Sequence, residues 1–404
     1  MRAFVWFLAS FVAVGLAQAQ QHGTLRGGEA ARTTTRPDTV TTLVLRDEGL
    51  TRIPDVVYRF PNLQELNVAG NTIRTIPRRL QRLDSLHTLN LSKNQLAGKR
   101  LRIRRNRTLR TLYLQDNDLT HLRGRYPRLR GLEALFLNRN ALTALPQNVG
   151  RMRALQELHL NDNQLADLRQ LPLRALGSHL RSLNVVRNGI RELPAELTLL
   201  SHLQALSLAN NELSEVCPVV GQLDSLRSLI LYHNHLTEFP PCVLELDRLR
   251  ELDVYYNQIA QVPPDIDRLQ HLEVLYLSHN RLPYLPESIT HLPRLQKLYL
   301  HHNQLVDLPS GLERLHHLEV LHLQHNLFDF FPPGILRLHA LRDLDVSHND
   351  ITEFPSALLH LSALDCLYLF HNPIDRTQPW FPPFEETLRQ LHRRHVRIGF
   401  ESEK

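Results

Sequence analysis

Apolar residues recur along this chain at a fixed interval, and that interval predicts its elements. Leu86, Leu89, Leu91, Asn94 and Leu96 make one unit. The same spacing restarts at Val40, Leu63, Leu86, Leu109, Leu132, Leu155, Leu180, Leu203, Leu226, Leu249, Leu272, Leu295, Leu318, Leu341 and Leu364. The step is 23 residues except for one of 25. Counting the first apolar residue as position 1, alternation at positions 4 and 6, as in Leu229 and Leu231, predicts a short strand. Those two side chains point inward, and positions 3, 5 and 7 point outward. Positions 1, 11, 14, 18 and 21 are apolar as well and fill the space between strand and return segment, each worth about 1.5 to 3 kcal/mol when buried. One such unit cannot close a core alone, so fifteen copies must stack, and their strands must join in one parallel sheet.

The unit reads L-x-x-L-x-L-x-x-N-x-L, the leucine-rich-repeat pattern. Position 9 is asparagine in fourteen copies, from Asn71 and Asn94 to Asn349 and Asn372, and Glu48 takes its place in the first. An amide both donates and accepts, so each asparagine can satisfy backbone groups of its own and the neighbouring coil where the strand turns away. Glu48 is read as the mark of a terminal coil with no preceding partner. Ten copies continue with an apolar residue and proline, as in Ile53-Pro54, Phe239-Pro240 and Leu285-Pro286. Proline has no N–H to give to a regular ladder, so turns and short helical pieces are expected there rather than full helices. The 23-residue form resembles the typical and Ras-suppressor-like classes of the leucine-rich-repeat superfamily, from Val40 to about Trp380. The resemblance implies an α/β solenoid, a horseshoe with a continuous concave sheet of about 15 strands and a convex side of turns and short helices. It also implies an interaction scaffold.

Two copies depart from the pattern. The third has Lys99 and Arg100 where apolar-Pro belongs and Asn106 at an inward position; the sixth carries two extra residues within 168–177. Local bulging of the convex side is expected at both.

The ends read differently from the repeats. Residues 1–19 have one early charge, Arg2, an apolar run from Ala3 to Leu16, and Ala17-Gln18-Ala19 as a cleavage signal, the form of a secretory leader. The run is too short for a bilayer span of about 20 residues, so no transmembrane anchor is expected. Residues 20–39 are a polar segment without the cysteine clusters of many animal extracellular relatives, which points to a bacterial-type secreted, periplasmic or cell-surface protein. After residue 380, Phe384, Leu388 and Leu391 at helical spacing, then Val396, Ile398 and Phe400 in alternation, predict a C-terminal cap over 381–404 of one helix and one strand.

Composition narrows the chemistry. With 42% apolar and 22% charged residues the 404-residue chain has the make-up of a soluble protein, and its net charge of +6 allows an acidic partner without requiring one. The basic cluster Lys99, Arg100, Arg102, Arg104, Arg105, Arg107 and Arg110 lacks interleaved aromatics and a known nucleic-acid module, so it is read as a solvated edge with no specific nucleic acid. Three cysteines are too few for a stapled scaffold. Cys217 and Cys242 fall at nearly matching places in adjacent copies, which leaves a bridge between them open. No G-x-S-x-G, H-E-x-x-H, P-loop or Rossmann fingerprint occurs, and neither enzymatic activity nor a cofactor is expected.

What remains is the outward face. Positions 3, 5, 7 and 8 hold seven of the ten tyrosines, and six of these, Tyr232, Tyr255, Tyr256, Tyr276, Tyr299 and Tyr368, fall in the ninth copy or later. Tyrosine pairs a large apolar ring with a polar tip and is enriched where partners dock, although neighbouring rings can also merely stack along a sheet. Histidines form a column at position 8, among them His302 and His325, joined by His301 and His322. Neutral imidazoles ligate metals, yet no fixed carboxylate backs them in the sequence, and the column is read as a solvated ladder rather than a metal site. The candidate ligand patch is therefore Tyr232, Tyr255, Tyr256, Tyr276, Tyr299, His301, His302, His322, His325 and Tyr368. Its expected partner is a protein or peptide; a carbohydrate or cell-envelope component is the alternative.

Overall fold

Each 23-residue unit folds as one coil: a three-residue strand at positions 3–5, a turn, and a return segment carrying a short 3-10 helix in most coils. We analysed a computed structural model of the chain, which describes residues 23–97, 106–122 and 129–400. The leader at 1–19 and the basic residues Lys99, Arg100, Arg102, Arg104 and Arg105 lie outside the described residues. Among the described residues seventeen strands join in one open sheet, each parallel to the next in chain order, from Thr24–Arg26 to Arg397–Gly399. The register matches like positions: Leu252 faces Leu275, and Leu275 faces Leu298. The inward leucines of all coils form one continuous buried core. No helix among the described residues is long and apolar enough to cross a membrane.

Position 9 ties the coils together. Asn257 Nδ2 donates to the carbonyls of Val254 at 3.0 Å and Tyr255 at 3.3 Å in its own coil, and to that of Leu231 at 3.1 Å in the preceding one. Its Oδ1 accepts the N–H of Leu236 at 3.1 Å, again in the preceding coil. The pattern repeats along the array, for example at Asn94, Asn211 and Asn349.

Two strands more than the repeat count come from the ends. Thr24–Arg26 pairs with Thr42–Val44, and the following helix Gly28–Thr33 buries Ala31 against the first coil. Glu48 therefore has a preceding partner after all: its carboxylate accepts the N–H of Gly28 at 2.9 Å. A carboxylate suits this place because it faces the free N–H groups of a helix start instead of a strand's carbonyls. At the other end the helix Phe381–Arg393 buries Phe381, Phe384, Thr387 and Leu391 on one face, and Arg397–Gly399 pairs with Cys366–Tyr368.

The irregular coils are accommodated locally. The two extra residues of the sixth coil are taken up by a 3-10 helix, Leu168–Gln170, followed by a short α-helix, Leu173–Leu176, with Leu168, Leu171, Leu173 and Leu176 all buried. This extra turn leans on the preceding coil, where a Cβ on Gly150 would come within 2.4 Å of Ala175 Cβ. Inward Asn106 is buried but paired, donating to Leu83 O at 3.2 Å and accepting from Leu109 N at 2.8 Å. The rest of the third coil's departure, 98–105, lies outside the described residues. Cys217 and Cys242 are bridged, with their Cα atoms 5.7 Å apart, and Cys366 is a free thiol.

Candidate functional site

The chain leaves each strand through a left-handed residue at position 8. Lys93, Asp116, Arg139, Asp162, Arg187, Asn210, His233, Tyr256, His279, His302, His325, His348 and His371 all have φ between 50 and 57°. Histidine, asparagine and aspartate tolerate this conformation better than most residues, which gives the histidine column a backbone reason. Because every coil turns in the same way, the side chains leave in the same direction and lie on one another. In the N-terminal half they are ion pairs, Asp116 with Arg139 and Asp162 with Arg187.

In the C-terminal half they are rings. Tyr256 and His279 stack at 4.3 Å between centroids, His279 and His302 at 3.9 Å, His302 and His325 at 4.1 Å, and His325 and His348 at 4.0 Å. Alongside runs position 7, where Tyr255 meets Tyr232 edge-on at 6.5 Å and sets its ring against His279 at 5.0 Å and His301 at 5.8 Å. At position 5, Tyr276 and Tyr299 stack at 4.5 Å, and His322 stands edge-on to Tyr299 at 5.1 Å. Nine of the ten candidate residues thus lie together on coils nine to thirteen. Tyr368 does not join them: it lies two coils further on, near Phe370 at 6.4 Å and opposite Gly399 of the last strand.

Electrostatically this patch suppresses charge. Burial and the neighbouring imidazoles His279 and His302 lower His301 to about 3, and burial with His279 and His325 lowers His302 to about 4, so both are neutral at pH 7. Burial raises the hydroxyls of Tyr276 and Tyr299 above the ordinary phenol range, leaving them as neutral hydrogen-bonding groups. Asp253, at outward position 5 next to Tyr276 in register, is only 1% exposed. Its Oδ1 accepts the N–H of Tyr255 at 2.9 Å, while Oδ2 is buried without a hydrogen-bond partner. Burial pushes this carboxyl up to about 7.

A raised acid makes the folded state hold its proton, so the stability Asp253 contributes is present below pH 4 and is lost as pH rises through 7. Asp253→Asn keeps the Oδ1 acceptor and resembles the protonated acid. It is expected to stabilise the chain by about 2 kcal/mol at pH 8 and to leave it unchanged at pH 4. Urea denaturation of both proteins at the two pH values measures this; a loss of stability at pH 8 would contradict it.

Several exposed or stacked residues lie outside the candidate patch read from the sequence. Tyr113, Phe136 and His159 form a second ladder at position 5 of coils four to six, with centroids 4.6 and 4.4 Å apart. Its signal was an aromatic at one position in three successive coils. Tyr284, Val306, Leu327 and Phe330 are large exposed apolar residues on the segments leaving the strands of coils eleven to thirteen. Most other coils are polar at those places, and that contrast was their signal.

An open solenoid whose parallel strands, inward leucines and turn asparagines recur coil after coil is a leucine-rich-repeat fold by class. The chain belongs to the leucine-rich-repeat family: the profile described as leucine rich repeat matches residues 38–96, 107–165, 178–236, 247–305 and 316–374, and a two-copy leucine-rich-repeat profile matches 293–333. Among curated proteins none matches the sequence. Among solved structures, an LRR protein of Leptospira interrogans is 30% identical with a TM-score of 0.76, covering 95% of this chain and 100% of its own. A chain of the Drosophila Toll–Spatzle complex is 25% identical with a TM-score of 0.68, over 86% of this chain and 49% of that one. An internalin of Listeria monocytogenes shares the fold at 21% identity and a TM-score of 0.64, over 83% and 86% of the two chains.

Proposed function

We propose that this protein is a secreted recognition module that holds a protein or peptide on the concave face of coils nine to thirteen, acting by binding rather than by catalysis. The observation that carries the reading is the clustering of Tyr232, Tyr255, Tyr256, Tyr276 and Tyr299 with neutral histidines on one rigid sheet. Rigid aromatic side chains lose little entropy on docking and dominate binding energy at interfaces. The charge-suppressed surface suits a partner with apolar and hydrogen-bonding side chains. The apolar leader 1–19 and the Cys217–Cys242 bridge support action in an oxidising compartment outside the cytoplasm. That Toll was solved as a complex with Spatzle supports a protein partner for a related fold.

Photo-crosslinking tests this reading. A benzophenone side chain in place of Tyr299 should yield a protein adduct when the purified chain meets its native extracellular milieu, and the same group in place of Thr88, outward on the N-terminal half, should not. A glycan array that binds the chain strongly, together with no protein adduct at either site, would transfer the face to carbohydrate recognition.

A further inference from the structure

Within the histidine-rich strip, two imidazoles of the regular column are met by a third from outside it. His279 and His302 come from position 8 of successive coils, and His301 turns in from position 7 to meet both. One ring nitrogen from each lies within 4.8 Å of the other two, and His301 Nδ1 is 3.0 Å from His302 Nδ1. Two imidazole nitrogens at that separation need something positive between their lone pairs, either a shared proton or a cation. His301 meets His279 and His302 nearly perpendicular to both, so the three lone pairs do not lie in one plane. The column alone is a solvated ladder; His301, turning in from position 7, makes a trio with two of its members.

We propose that His279, His301 and His302 form a binding site for one borderline divalent transition-metal ion of the zinc class, with a fourth coordination position open to the concave groove. Imidazole is a preferred ligand of such ions, at metal–nitrogen distances of about 2.0 to 2.1 Å. Because His279 and His302 stack face to face at 3.9 Å, one of these two rings must tilt out of the stack for both to aim a lone pair at the same ion. His279 is stacked between Tyr256 and His302, His302 between His279 and His325, and the edge of Tyr255 lies against both His279 and His301. His348 and His371, further along the column, stack at 4.1 Å but have no position-7 histidine beside them to complete a trio, since Ser347 and Phe370 occupy those places.

The proposal does not depend on the identity of any macromolecular partner. Zinc titration of the full chain, free of any affinity tag and monitored by calorimetry at pH 7.5, should give one ion per chain. His301→Gln should weaken binding by at least about tenfold, and His348→Gln should leave it unchanged. His279→Gln, more exposed than His301, serves as a second variant where His301→Gln disturbs the far-ultraviolet circular dichroism. Cobalt in place of zinc should give visible bands of tetrahedral intensity that disappear in His301→Gln. Absence of stoichiometric zinc binding, or equal weakening by His348→Gln and His301→Gln, would overturn the site.

Discussion

Asn257→Ala is expected to lose about 3 kcal/mol of stability, the largest cost of any single substitution considered. The reason is the amide's four backbone contacts across two coils. The carbonyls of Leu231 and Val254 each keep a second amide donor, from Asn234 and Asn280 respectively. The N–H of Leu236 has no other acceptor and would be left buried and unpaired, which alone costs about 1 to 3 kcal/mol. An exposed convex substitution such as Arg248→Ala should cost less than about 0.5 kcal/mol. Urea denaturation compares the two, and hydrogen exchange should place the Asn257 loss in coils nine and ten, because stability in a stacked array is passed between neighbours. Equal, negligible losses for both variants would contradict the asparagine ladder.

The repeat was legible because each coil restates the same constraint: a leucine misplaced by one residue would leave the core. Asn71 through Asn372 repeat with it, so their structural role could be read from the ability of an amide to donate and accept. The N-terminal cap was not legible, since Thr24–Arg26 and Gly28–Thr33 carry few apolar residues and borrow their order from the first coil. Glu48 looked like an unpaired end for the same reason. The histidine column was visible as a residue type, whereas its cause, the left-handed backbone at position 8, appears only in three dimensions. Asp253 shows the limit of a strict alternation rule: position 5 points outward, yet the side chain is buried on the concave face beside Tyr276. The trio His279, His301 and His302 required knowing that positions 7 and 8 of neighbouring coils converge.

The second large effect concerns recognition. Tyr276 and Tyr299 stack on one another at the centre of the aromatic surface, and both belong to outward position 5, so truncation removes contact area without opening the leucine core. As paired anchors at a docked interface they should together contribute about 3 kcal/mol, more than a hundredfold in affinity. The matched control is Thr88→Ala with Asn90→Ala, two outward residues of the third coil. Circular dichroism and the denaturation midpoint of each double variant confirm that both still fold. The most direct measurement is the dissociation constant of the protein cross-linked at position 299 for the parent chain, the Tyr276→Ala/Tyr299→Ala variant and the Thr88→Ala/Asn90→Ala variant. Binding on the C-terminal concave face predicts a loss of about a hundredfold for the tyrosine pair and less than about threefold for the control; undiminished affinity in the folded tyrosine variant with a large loss in the control would contradict it.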